Sequence, residues 1–503
     1  MNLGLILEET VRRYPNKTAV SLGERKLSFA ELDEASNKIA NALIKMGLRK
    51  GDRAAILLSN SPEFAAIYFG IVKIGATGVP LDTRYKVSEL ASLFDNCQPR
   101  VIISESPCLE PVVSALPQFK SVEQVIDINS KYEGRFPTYQ EITATSSAQR
   151  VEVQIEDKDI AHIAYTSGST SRPRGIMLSH GSILAHAAGS TSWFQQTEND
   201  ALILCALPLY HAFGLSIILI SSVLKGSTVV MLPGLSISSL METIEKERVT
   251  LWMGVPYTFA LAVNAAERER VKHDLSSLRY CVAGGSALST DTVRRFKQYY
   301  GLGLFQLWGL TEGVAHDTCQ AIDGSGNPGS VGKPLPEFEV KIVDEDDQQL
   351  PPNQPGEVIL SGPMMTGYYA NPQATAEIIK DGWLYTGDIG RIDGDGELFI
   401  LGRKKDIIIV KGLNINPIDI EDVLHTHPMV AEAAVVGIDD VLRGERIRAV
   451  VALKDGATVA EGELKDLCRE QLANYKIPKE VIIIDSIPKT ATGKINKEAL
   501  RQL

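Results

Sequence analysis

Between positions 165 and 175 the chain reads Tyr165-Thr166-Ser167-Gly168-Ser169-Thr170-Ser171-Arg172-Pro173-Arg174-Gly175. Small residues let backbone N–H groups approach a ligand closely, the hydroxyls add donors, and the two arginines add cationic charge, a set that suits a polyphosphate. It is not a Walker A loop, because G-x-x-x-x-G-K-[ST] cannot be laid over these residues. On composition alone the stretch reads equally well as a Ser/Thr-rich surface loop. Further along stand other residues able to do chemistry, each with a plainer alternative. His211 sits in an apolar segment, where a core histidine is the more ordinary occupant. Gly284-Gly285 would serve as a turn. Thr311-Glu312 offers one carboxylate of the kind that, with phosphate oxygens, holds Mg²⁺ beside a nucleotide. Asp388 follows Gly387 as a turn acid does, and Lys494 stands in a Thr/Gly loop where a lysine is ordinarily exposed and inert.

Positioning these residues falls to alternating strands and helices. From Ser28 the pattern SFAELDEASNKIANALIKMG puts Phe29, Leu32, Ala35, Ile39, Leu43 and Ile44 on one helical stripe, and Ser28 with Glu31 forms a capping box. Short β-branched runs recur at 53–58, 100–104, 202–207, 228–232 and 279–283. This alternation predicts an α/β fold of layered, mostly parallel sheets with helices. The apolar stretch from Phe213 to Leu224 reads as a buried helix, and helix 180–189 should follow the stretch at 165–175. Around Pro351 the texture turns to hairpin-like β structure, predicting a small β subdomain over about 330–402. After Gly402 comes a basic cluster, then helix-like stretches at 418–427 and 461–474 and strand-like VVALK and VIIID. The expected domains are 1–402 and a small, mobile α+β domain over 403–503.

The length of 503 residues exceeds what one core organises, about 250–300 residues, so at least two domains are required. A net charge of −11 disfavours nucleic acid as a partner, so any polyanion must be held by a local site. The six cysteines include no C-x-x-C pair and read as reduced thiols of a cytoplasmic protein. The N-terminus lacks the basic start and long apolar core of a signal peptide, and no stretch reaches the ~20 apolar residues of a membrane span.

The stretch at 165–175 resembles the signature loop of the acyl-adenylate-forming superfamily, which contains acyl-CoA synthetases, luciferases and the adenylation domains of peptide synthetases. The usual form is YTSG-[ST]-T-G-x-P-K-G; here Ser171 replaces the Gly and Arg174 the Lys. Arginine keeps the charge but presents a planar fork. Further segments resemble the family in the same order. The resemblance implies that Thr166, Ser167, Gly168, Ser169, Thr170 and Arg174 cradle the nucleotide's phosphates, with Gly284, Gly285, Ser286, Trp308 and Gly309 on its adenine side. It implies Thr311 at the α-phosphate, and Glu312 with Thr170 for Mg²⁺. The segment Leu207 to Leu215 would line the carboxylate tunnel, with His211, Phe213, Val255, Pro256, Phe259 and Gly309 around the acyl group. Asp388 would hold the ribose hydroxyls with Arg403 beside it, and Lys405 would be the hinge. Lys411, Gly412, Leu413 and Asn414 would line the coenzyme A tunnel, and Lys494, in Pro488-Lys489-Thr490-Ala491-Thr492-Gly493-Lys494, would be the lysine of the adenylation step.

The function so implied is that of an AMP-forming acyl-CoA synthetase using ATP, Mg²⁺ and coenzyme A. Carboxylate attack on the α-phosphate sets anion against anion, so catalysis must be positioning and charge neutralisation, and cations matter more than bases. The tunnel segment reads His211-Ala212-Phe213 where amino-acid adenylation domains carry an Asp for the α-amine, which disfavours amino acids. Gly309 stands where acetate-using relatives have a pocket-truncating Trp, so an acid larger than acetate is expected, medium-chain, alicyclic or aromatic. Two alternatives remain: an acyl-AMP ligase loading a carrier-protein thiol, and an inactive nucleotide-binding sensor. No carrier domain follows Lys494, which favours free coenzyme A, and retention of Glu312 and Lys494 disfavours the sensor. Monomer and homodimer are both compatible with the sequence.

Overall fold

The computed structural model describes residues 2–132, 134–165, 174–204, 207–232, 234, 236–268, 273–410, 413–440, 444–454, 456–490 and 494–503. The chain divides into two compact units. The first comprises Met1–Gly326, Gly332–Glu339 and Ser361–Trp383, and the second Asn327–Val331, Val340–Leu360 and Leu384–Leu503.

The first unit is built on two sheets. In one, strands Thr18–Leu22, Thr228–Met231, Ala201–Leu204, Leu251–Gly254, Tyr280–Ala283 and Leu304–Trp308 lie side by side in parallel, with short antiparallel strands at both edges. In the other, Ile160–Tyr165, Thr77–Pro80, Arg53–Leu57, Val101–Ser104 and Gln124–Asp127 run parallel, and Gly175–Ser179 and Gly367–Tyr368 extend it antiparallel. This is the expected α/β class. Parallel strands buried on both faces need continuous apolar runs, which is why VIIS over Val101–Ser104 and YCVA over Tyr280–Ala283 are buried at every position.

The helix Phe29–Lys45 starts as the residues dictate. Ser28 N–H donates to Glu31 Oε2 at 2.7 Å and Glu31 N–H to Ser28 Oγ at 3.2 Å, closing the capping box. Its stripe of Phe29, Leu32, Ile39 and Leu43 is buried, while Ala35 and Ile44 are half-buried. Helix Pro62–Lys73 crosses it closely. A Cβ on Gly70 would fall 2.6 Å from Ile39 Cγ2 and 3.0 Å from the Ser36 carbonyl, so only glycine permits this approach. The crossing also buries Lys73, whose Nζ lies 2.6 Å from Asp33 Oδ1 and 2.6 Å from Asn37 Oδ1. Burial lowers the Lys73 pKa and the Asp33 charge opposes that shift.

The segment 213–224, expected to be a buried helix, is one, but Phe213–Ile220 winds as a π-helix before Ser221–Lys225 continues as an α-helix. Long π segments are rare and occur preferentially at functional sites. None of the described helices is long and apolar enough to cross a membrane, and the described cysteines form no disulfide.

The second unit is built on two further sheets. Gly356–Ser361, Trp383–Ile392 and Leu398–Arg403 pair antiparallel in the first. In the second, Gly444–Leu453 pairs with Val430–Asp440, Ile408–Val410 and Glu480–Ile484. Helices Pro417–His425 and Glu461–Gln471 cover a core of Ile408, Ile420, Leu424, Val435, Val451 and Leu464.

Candidate functional site

In open α/β sheets, ligands bind outside the carboxyl ends of the strands. In the larger sheet of the first unit, Leu304–Trp308, Tyr280–Ala283, Leu251–Gly254 and Ala201–Leu204 are consecutive neighbours, all parallel. Their carboxyl ends lead into 309–312, 284–286, 255–259 and 207–213, so four of the singled-out segments line one sheet edge in that order. In the other sheet Ile160–Tyr165 ends at the Ser/Thr-rich stretch. Residues 166–173 of that stretch, including Thr166, Ser167, Gly168, Ser169 and Thr170, lie outside the described residues. Its flanks are paired: Tyr165 opposes Gly175 in an antiparallel ladder, and Tyr165 OH donates to Asn96 Oδ1 at 2.5 Å.

Arg174 and Glu312 meet through a residue that sequence reasoning did not single out, Tyr368. Tyr368 OH donates to Glu312 Oε1 at 3.1 Å, and the Arg174 guanidinium lies 5.4 Å from the centre of the Tyr368 ring, a cation–π distance. Burial first, and the Glu312 carboxylate second, push the Tyr368 phenol far above its ordinary pKa, so it remains a donor. Met365 N–H donates to the Glu312 carbonyl at 2.8 Å, so the short strand Gly367–Tyr368 and its approach fasten Glu312 by backbone and side chain together.

Thr311 and Glu312 open a tight turn over 311–315. Val314 N–H reaches the Thr311 carbonyl at 3.1 Å and Ala315 N–H the Leu310 carbonyl at 2.7 Å. Val314 at φ 68° and Ala315 at φ 85° occupy the left-handed region, which is strained for a β-branched residue. Gly309 sits beneath them: a Cβ there would fall 2.4 Å from the Ala315 carbonyl carbon and oxygen. Backbone packing alone therefore demands this glycine, a reason separate from the depth of any acyl pocket. Trp308 ends its strand opposite Thr318.

The tunnel segment is tied to both sheets. Asn60, after strand Arg53–Leu57, donates Nδ2 to the Leu207 carbonyl at 3.0 Å and accepts the Leu209 N–H at 2.8 Å. Arg84, after strand Thr77–Pro80, binds both oxygens of Asp82 and donates to Tyr210 OH at 2.9 Å. His211 Nδ1 accepts the Phe213 N–H at 3.2 Å, which assigns the ring proton to Nε2. Burial first and His211 second pull the His162 pKa down to about 3, so His162 is neutral. Phe213 and Leu307 fill the space beside Gly284, where a Cβ would fall 2.5 Å from Leu307 Cδ1 and 3.0 Å from Phe213 Cε1. Gly285 adopts φ 89°, and Ser286 follows it in a bend. Val255 and Pro256 begin helix Pro256–Glu267. Phe259 is fully buried, its ring 4.4 Å from that of Trp252 and 5.5 Å from that of Phe296, in an aromatic core.

In the second unit, Asp388 and Arg403 are cross-strand partners, with Arg403 Nε 2.7 Å from Asp388 Oδ1. Asp388 is 2% exposed, and its N–H donates to Thr386 Oγ1 at 3.0 Å. Lys405 lies in the 3₁₀ turn Lys404–Asp406, between an ion pair of Lys404 with Glu357 at 2.8 Å and one of Asp406 with Lys497 at 3.2 Å. Leu413 and Asn414 enter the strand Leu413–Ile415; Lys411 and Gly412 lie outside the described residues. Lys494 is exposed, its carbonyl accepting the Thr490 N–H at 2.7 Å and its N–H donating to Thr490 Oγ1 at 3.2 Å.

Among the described residues no three His, Cys, Asp or Glu side chains gather to hold a metal. A lone carboxylate such as Glu312 instead fits Mg²⁺ that arrives on phosphate oxygens.

Residues 7–369 match the AMP-binding enzyme family and residues 419–494 the AMP-binding enzyme C-terminal domain. The chain is 32% identical to a long-chain-fatty-acid–CoA ligase of Bacillus subtilis (strain 168), over 98% of this chain and 93% of that one. It is 34% identical to an indoleacetate–CoA ligase of Aromatoleum aromaticum, over 97% and 95%. The crystal structure of the anthranilate CoA ligase AuaEII in complex with anthranoyl-AMP superposes with a TM-score of 0.93 at 29% identity, covering 100% of this chain and 97% of that one. The chain belongs to the AMP-binding enzyme family, the acyl-adenylate-forming group whose motifs it carries from Tyr165 to Lys494.

Proposed function

We infer that this chain is an AMP-forming acyl-CoA synthetase. A carboxylate oxygen attacks the α-phosphorus of ATP, the bond to pyrophosphate breaks, and an acyl-adenylate forms. The sulfur of coenzyme A then attacks the acyl carbon, loses its proton, and AMP departs. The observation that carries this reading is the grouping of Arg174, Tyr368 and Glu312 where the carboxyl ends of two sheets supply the family's segments.

Each residue has work fitted to its chemistry. Arg174 offers a fork of donors to the β- and γ-phosphates, and Thr311 a hydroxyl to the α-phosphate. Glu312, with Thr170, would hold Mg²⁺, which when bound neutralises phosphate charge. Lys494 would neutralise charge between carboxylate and α-phosphate, Asp388 would take the ribose hydroxyls with Arg403 beside it, and Gly284 to Ser286 would flank the adenine. His211 presents Nε2–H, a donor suited to a carboxylate at the mouth of the tunnel. Lys411 to Asn414 would line the coenzyme A path, and Lys405 would be the pivot between a domain over 1–402 and one over 403–503.

The acid is larger than acetate. Long-chain fatty acid, indoleacetate and anthranilate, the acids named for the relatives, are all so, and this now carries the argument that Gly309 alone does not. The apolar walls at Phe213 and Val255 suit such an acid. The test is to incubate the protein with Mg-ATP and a panel of aliphatic and aromatic acids, with and without coenzyme A, and to measure pyrophosphate, AMP and thioester. Acid-dependent pyrophosphate with thioester only when coenzyme A is present is the expected result. Pyrophosphate without thioester would transfer the assignment to a carrier-protein ligase, and no pyrophosphate with any acid would leave the nucleotide-binding sensor.

A further inference from the structure

Behind the turn carrying Thr311 and Glu312 lies a carboxylate that the mechanism above does not use. Asp317 is fully buried. Its Oδ2 accepts the Leu310 N–H at 3.0 Å. A Cβ added to Gly313 would fall 2.4 Å from both of its oxygens, so the carboxylate occupies the space directly under that glycine. Its own backbone is fixed on both sides: its N–H donates to the Trp308 carbonyl at 3.0 Å and its carbonyl accepts the Leu335 N–H at 3.0 Å.

Two costs meet at this spot. The turn holds Val314 and Ala315 at positive φ, a strain that persists only where surrounding structure over-determines the backbone. The carboxylate is sunk against helix His180–Trp193. His186 Nε2 is 3.9 Å from Asp317 Oδ1, beyond hydrogen-bond reach, and burial holds His186 well below its ordinary pKa. Burial likewise brings His316 down to about 3, and its Nδ1 shares a hydrogen bond with Ser190 Oγ at 2.8 Å. Burying a carboxylate carries a desolvation cost that its hydrogen bonds must offset. The bond from the Leu310 N–H anchors the residue immediately before Thr311.

We propose that Asp317 is a positioning residue for adenylate formation: by gripping the Leu310 N–H and filling the space under Gly313 it locks the strained turn 311–315, and so aims the Thr311 hydroxyl and the Glu312 carboxylate. The catalytic part of this rests on the synthetase reading; the anchoring part does not. In positioning catalysis a displacement of about 1 Å costs on the order of 10²-fold in rate. Asparagine keeps an oxygen for the Leu310 N–H, whereas alanine keeps none.

The full-length Asp317→Ala and Asp317→Asn proteins are compared with the parent in three measurements. These are acid-dependent pyrophosphate exchange with decanoate, benzoate or phenylacetate, the MgCl₂ dependence of that exchange, and amide hydrogen exchange of peptides covering 310–316. For Asp317→Ala, kcat should fall about 10²-fold and the MgCl₂ needed for half-maximal rate should rise about tenfold, with KM for the acid within about threefold of the parent. Turn amides should exchange on the order of tenfold faster in that variant, with the rest of the chain unchanged. Asp317→Asn should stay within about tenfold of the parent on every measure. Unchanged turn protection in Asp317→Ala overturns the anchor. An asparagine variant as impaired as the alanine one, or kcat and KM worsening together in step with a falling Tm, overturns the positioning role. A parent protein that exchanges no pyrophosphate with any acid sinks the synthetase reading, and turn protection then still decides the anchor.

Discussion

Lys494 is exposed, and its carbonyl accepts the Thr490 N–H at 2.7 Å. A unit charge at ~4 Å with an effective dielectric of ~20 is worth on the order of 4 kcal/mol, so one well-placed cation can supply decades of rate. Lys494→Ala should therefore slow adenylate formation at least about 10²-fold, as loss of an electrostatic donor does. A variant retaining parental acid-dependent pyrophosphate exchange would refute this role. Tyr368 makes a different prediction, because it supports Glu312 through one bond to a charged group. Tyr368→Phe should raise the Mg-ATP needed for half-maximal exchange roughly tenfold; an unchanged half-saturation would mean that the bond is incidental. The sequence names Lys494, Glu312 and Arg174 through their motifs, but not Tyr368, which lies 56 residues from its partner in a two-residue strand. Nothing local marks a tyrosine whose role depends on long-range strand pairing. Asp317 escaped for a similar reason: its carboxylate acts through space on Leu310 and Gly313, not through a spacing that chemistry prescribes.

Elements were legible where local chemistry is decisive. The capping box at Ser28 and the apolar runs at 101–104 and 280–283 are self-sufficient signals, and helix and strands follow from them. The π winding of Phe213–Ile220 was not legible, since a segment apolar all round carries no phase that would distinguish one helical repeat from another. The crossing at Gly70 was also invisible, because a glycine in an apolar helix says nothing about which backbone approaches it. Its consequence runs against propensity. Alanine should favour an isolated helix by about 1 kcal/mol, yet here its methyl meets stiff, β-branched Ile39 and the Ser36 carbonyl. Gly70→Ala should lower the stability of the first unit by about 1–3 kcal/mol, the range for overpacking. Urea unfolding measures it, and a more stable variant would show that the two helices have room to separate.

At the scale of the whole molecule, the compact units do not follow chain order. Val340–Leu360 belongs with the second unit while Ser361–Trp383 belongs with the first, so a cut drawn from sequence texture alone cannot reproduce them. The proposed nucleotide residues are likewise divided: Arg174, Thr311 and Glu312 in the first unit, Asp388, Arg403 and Lys494 in the second. Two successive reactions set opposite demands on such a division. On the proposed assignment, phosphates and Lys494 would crowd the carboxylate in the first, and the same approach would have to be clear for a thiol in the second. A pivot would reconcile them, and the proposed one, Lys405, is an exposed residue of the second unit in a short turn bracketed by the Lys404–Glu357 and Asp406–Lys497 ion pairs. Proline fixes φ near −65° and so removes one of the two rotations through which such a residue can swing. Lys405→Pro should leave pyrophosphate exchange within about threefold of the parent and reduce thioester formation from preformed acyl-adenylate at least about 10²-fold, since a thiol held off its line of attack forfeits the gain of proximity. Equal loss of both half-reactions would place the pivot elsewhere or show that one arrangement of the chain serves both.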